Sequence, residues 1–110
     1  MVWKGKATLG MPGVVLQEVL SGIRNERQFA EIERQLLASF SILHAMTRDH
    51  VEAARLRYKC IASGLHASGP DCLIATLAIA GNHELFAIDQ DFEDIARNTS
   101  LKLYKWRAAA

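Results

Sequence analysis

The stretch SGPDCLIATLAIAGNHELFAIDQD, residues 68–91, decides the fold. Pro70 suits the first turn of a helix, and Gly81 ends the segment. Between them Cys72, Leu73, Ile74, Leu77, Ala78 and Ile79 leave almost no polar side. A helix of that kind is expected to be buried on most sides. Leu85-Phe86-Ala87-Ile88 is an unbroken apolar run of strand length, the mark of a strand covered on both faces. Asp71 opens the helix, while Asp89 and Asp91 follow the strand at once.

Working outward, the same alternation of elements recurs. Pro12 opens a segment in which Val15, Leu16, Val19, Leu20 and Ile23 form a helical stripe, with Glu18 at its border. Asn25 is a good N-cap with Gln28 three residues on, and Phe29, Ile32, Leu36 and Leu37 give the apolar face of the helix that follows. Phe40, Ile42, Leu43 and Ala45 read as a short strand. Thr47 is expected to cap a further helix closed by Gly64. Beyond the central stretch, Phe92 to Arg97 reads as a short helix. Leu101 to Trp106 alternates as a last strand. Strands separated by helices imply parallel pairing and an α/β layer structure. Residues 1–11 carry two glycines and no clear period, and read as a leader without an element; residues 12–107 read as the domain.

Composition narrows the function classes. The chain has 110 residues, enough for one domain; half are hydrophobic and 23% are charged, which excludes a disordered tail. The formal charge of +1 excludes a strongly basic nucleic-acid coat, so polyanion binding would have to be local. No apolar run is long enough to cross a bilayer, and the first ten residues lack the apolar core of a signal peptide. Cys60 and Cys72 have no metal-type spacing and read as buried reduced thiols, which points to the cytoplasm.

Four carboxylates stand on the most apolar elements: Glu18, Asp71, Asp89 and Asp91. In parallel α/β sheets, sites form beyond the carboxyl ends of the strands, where Asp89 falls. Burying an unpaired carboxylate is costly, so a positive partner is expected. A hard divalent cation with oxygen ligands, Mg²⁺ or Mn²⁺, is one answer; Arg24, Arg27 or Arg97 is the other. Plainer roles compete. Asp71 complements a helix dipole, Asp91 suits a helix cap, and Glu18 suits a solvent edge. The four histidines lack metal spacing, although His66 lies near Asp71 in sequence. Lys102, Lys105 and Arg107, interleaved with Tyr104 and Trp106, suit either nucleic-acid contact or a lysine-protected edge strand.

PGVVLQEVLSGIRN, followed by SGPDCLIATLAIAGNHELFAIDQDFEDIA, resembles the PIN domain of VapC-type toxin ribonucleases. By that resemblance Glu18, Asp71 and Asp89 match family acids, with Asp91 in support. The resemblance implies a three-layer parallel sheet with helices on both faces. It implies an endoribonuclease in which carboxylates hold Mg²⁺ or Mn²⁺, a homodimer, and a VapB-type antitoxin as partner. The family's fold begins with a central strand ending in an aspartate. No aspartate precedes Asp49 here, and the chain reads as lacking that first strand and helix. Two further readings stand beside the active nuclease: an inactive remnant that keeps antitoxin binding or self-association, and an unrelated small α/β protein with structural acids.

Overall fold

The computed structural model describes residues 2–5, 8–86 and 90–104, the first strand and Thr8 by their backbone pairing alone. The element order is β1 (Val2–Gly5), β2 (Thr8–Pro12), α1 (Gly13–Ser21), α2 (Glu26–Ser39), β3 (Ser41–Leu43), α3 (Thr47–Ala62), α4 (Gly69–Ala80), β4 (Glu84–Phe86), α5 (Gln90–Asn98) and β5 (Lys102–Leu103). The chain is α/β, as the alternation predicts.

One five-stranded sheet runs β3-β2-β1-β4-β5. The helix-linked pairs β2–β3 and β4–β5 are parallel, in register Met11 to Ile42 and Leu85 to Leu103. β1 is antiparallel to both β2 and β4. Four strands therefore share one direction and the central strand opposes them.

That central strand corrects the reading of residues 1–11 as an unstructured leader: both β1 and most of β2 fall inside it. Gly5 and Gly10 weaken the local strand signal, but the pairing partners on either side supply what propensity does not. The sheet centre is thus filled by a hairpin, where the sequence suggested an uncovered position. β4 needs a second correction. Leu85 is fully buried but Phe86 is exposed, so among the described residues this strand is covered on one face. Ala87 and Ile88, the rest of the apolar run, lie outside the described residues.

Helix ends follow local chemistry. Asn25 Oδ1 accepts from the Gln28 amide at 3.0 Å, as its position predicts. α3 starts at its expected cap residue, Thr47, so the cap falls one residue earlier. Met46 holds the cap position, and its amide donates to Asp49 Oδ2 at 2.8 Å, leaving Thr47 inside the helix. At the other end Gly64 takes a φ of +77°, and Leu65 donates to the Cys60 carbonyl at 2.8 Å. That closes the helix in a Schellman turn.

The core lies where α4 and α5 cover the sheet. Phe92, Ile74, Leu85, Ile95, Pro12 and Cys72 are its largest fully buried side chains. α4 is buried on most sides, as expected, with Cys72, Ile74, Ala75, Thr76 and Ala78 inside. α2 is the opposite case, an amphipathic helix with no fully buried residue. Among the described residues, no helix is long and apolar enough to cross a membrane.

Candidate functional site

The shared strand direction fixes where the site can be. The carboxyl ends of β2 and β4 lie on the same edge, and α1 leaves that edge directly from Pro12. α4 joins β4 through a three-residue turn, so it runs against the strand and its N-terminus reaches the same edge. A groove lined by Val14 of α1 and by Pro70 and Leu73 of α4 confirms that the two helix starts are neighbours.

Asp71 is the acid that this arrangement holds most firmly. Ser68 caps α4, its Oγ accepting from the Asp71 amide at 3.2 Å. The carboxylate is half-buried in the first turn, where the helix dipole favours negative charge. The plain capping role and a site role are therefore compatible at this residue. Asp71 also lies close enough to Cys72 to act on it. Burial pushes the Cys72 thiol from 9.0 up to about 11; the adjacent Cys60 and Asp71 add to the rise and Arg57 opposes it. Arg57 of α3 and Asp71 of α4 thus share one neighbourhood. Both cysteines are buried and free, as their apolar settings predict.

The other expected acids are spread more widely. Glu18 is exposed on α1, one turn beyond the buried Val15. Asp91 is half-buried in the first turn of α5. The helix begins at Gln90, so Asp91 lies within it and does not cap it. Asp89 lies outside the described residues. Among the described residues, no three His, Cys, Asp or Glu side chains are placed to hold a metal ion. Glu18, Asp71 and Asp91 therefore do not make such a group by themselves.

The basic candidates divide in the same way. Arg97 pairs with Asp94 at 3.3 Å, a neighbour on its own helix, while Arg24 and Arg27 are exposed. His66 is exposed in the loop before α4. Lys102 donates to Asn82 Oδ1 at 2.9 Å, and Tyr104 packs its ring against Phe86 with centroids 6.1 Å apart. Lys105, Trp106 and Arg107 lie outside the described residues.

Sequence reasoning missed His50 and Arg57. They stand seven residues apart on one side of α3 and line the groove beside the start of α4. Their spacing was visible, but the groove is made by three separate elements.

A comparison with curated proteins finds no match. Among protein families, residues 2–98 match the PIN domain. PIN domains are generally nucleases and typically use divalent metal ions. The matched span runs from the hairpin through α5 and includes every expected acid, and the chain belongs to the PIN domain family.

Proposed function

We propose that this protein is a metal-dependent endoribonuclease, using Mg²⁺ or Mn²⁺, and the cytoplasmic toxin of a VapBC-type module. The observation that carries this reading is Asp71, a half-buried carboxylate at the carboxyl edge of the sheet in a chain of a nuclease family. Glu18, Asp71 and Asp89, supported by Asp91, are the residues that would hold the cation. Their donors are all hard carboxylate oxygens, which suits Mg²⁺ or Mn²⁺ better than a soft metal. When bound, such an ion activates water and stabilises negative charge developing on a phosphodiester. Ser68 caps the first turn of α4, the turn that carries Asp71. Residues 12–107 form the nuclease domain in this reading, with the β1–β2 hairpin bracing it. A homodimer and a VapB-type antitoxin are the expected partners.

One observation favours a second reading. The first acid in the chain is Glu18, so the hairpin at the sheet centre brings no carboxylate to the edge. A remnant that binds antitoxin or itself without cutting RNA accounts for that.

Cleavage of single-stranded RNA with Mg²⁺ or Mn²⁺, with and without chelator, decides between them. The nuclease reading expects metal-dependent cleavage that falls at least about tenfold in Asp71→Asn and Asp89→Asn. Unchanged cleavage in both variants removes the site assignment, and no cleavage with either metal leaves the remnant.

A further inference from the structure

The groove beside Asp71 has a composition that the carboxylates do not explain. It encloses about 340 Å³ between α1, α3 and α4. Val14, Ala54, Pro70 and Leu73 give it apolar walls, and His50 and Arg57 are its polar side chains. Arg57 is exposed, and no ion pair to it is found among the described residues. Arg55, two residues away, contrasts with it: its guanidinium is held by Glu52 at 2.6 Å.

We infer that this groove binds one nucleotide of a single-stranded RNA, its base against the Val14, Ala54, Pro70 and Leu73 walls and its phosphate on Arg57. The inference rests on the nuclease reading for the identity of the ligand and on the groove for its place. The volume lies at the lower end of the range for small-ligand sites, the right scale for a single base and unsuited to a duplex. An apolar wall accepts the face of a base, His50 offers a ring nitrogen to its edge, and a guanidinium matches phosphate oxygens in a two-pronged contact. The groove starts at the first turn of α4, so a nucleotide held there leads the next phosphate toward Asp71. Arg57 and His50 are then positioning residues, since neither touches the reacting bond. An acidic peptide is the competing ligand for a lone arginine, but it has no use for the apolar walls.

The test is fluorescence anisotropy with a labelled single-stranded RNA and the full chain, in chelator so that nothing is cut. Arg57→Gln is expected to weaken binding about tenfold and to lower the salt slope by about one. Ala54→Phe fills the groove without changing charge and is expected to weaken binding as well. Arg34→Gln on α2 removes the same charge elsewhere and is expected to leave binding unchanged. An abasic oligonucleotide should bind more weakly than the full RNA. Four results overturn the inference: no binding by the parent chain, equal binding by parent and Arg57→Gln, equal binding by abasic and full RNA, or equal competition by an oligoglutamate peptide. If Ala54→Phe fails to fold, the Arg57→Gln and abasic arms still decide.

Failure of the nuclease reading looks different. Absence of metal-dependent cleavage alongside Arg57-dependent binding removes the enzyme and keeps the groove. Cleavage that needs Asp71, with affinity and KM unmoved in Arg57→Gln, removes the groove and keeps the enzyme.

Discussion

Asn82 and Lys102, twenty residues apart, are tied by a side-chain hydrogen bond of 2.9 Å. The bond joins the turn after α4 to the start of β5. Asn82 holds the left-handed conformation there, with φ 53°, and completes a Schellman turn in which His83 donates to the Ala78 carbonyl at 2.8 Å. Gly81 has an ordinary backbone at this turn; its value is space, since a Cβ there would sit 2.4 Å from the His83 ring.

Those two facts give opposite expectations for neighbouring residues. Asn82→Ala should destabilise the protein by about 1 kcal/mol or more, because alanine tolerates the left-handed region poorly and the Lys102 contact is lost. Asn82→Gly should cost less than Asn82→Ala, as glycine adopts that conformation freely. Gly81→Ala should cost about 1–3 kcal/mol through overpacking against His83. Urea titration of the three variants checks the order.

The Cys72 thiol makes stability depend on pH on the alkaline side. Well below the ordinary value of 9.0 the thiol is neutral in both folded and unfolded chains, and its contribution is complete. As pH rises further, the unfolded chain loses this proton while the folded one keeps it up to about 11. Stability should therefore fall across that window, by roughly 2–3 kcal/mol from this group. Cys72→Ala should flatten the decline while lowering stability at neutral pH by about 1–2 kcal/mol for the lost buried sulfur. Urea midpoints of both proteins across the window supply the comparison; parallel slopes would remove Cys72 as the cause.

Metal binding should register in stability as well as in cleavage. If Asp71 and Asp89 share a cation, millimolar Mn²⁺ should raise the melting temperature of the full chain, since a ligand of the folded state stabilises it by mass action. Asp71→Asn should lose most of that rise. Ser68→Ala should lower the melting temperature through loss of a helix cap, about 1 kcal/mol, yet retain a metal response. A melting curve insensitive to Mn²⁺ would argue that these acids do not converge.

Much of the fold was legible because its signals are local. Asn25, Gly64 and Pro70 announce helix ends through their own side chains or backbone freedom, and the apolar helix from Pro70 to Ala80 announces its own burial. The hairpin was not legible, because Val2–Gly5 and Thr8–Pro12 gain their strand character from β3 and β4, which are far away in sequence. At the site, Asp71 stood out as an acid opening an apolar helix. His50 and Arg57 did not, since on α3 alone they look like an ordinary wet face; only the arrival of Val14 and Leu73 makes them the polar part of a recess.

The reversed central strand has a consequence for assembly. β2–β3 and β4–β5 can each form around their own helical connections, as two half-sheets. Val2–Gly5 is the seam: it zips to Phe86 on one side and Gly10 on the other, across some eighty residues of chain in the first case. Seams of such high sequence separation close late and slowly. The pairing of Val2–Gly5 with β4 is what joins the two leaves and makes the carboxyl edge on which Asp71 sits a single surface.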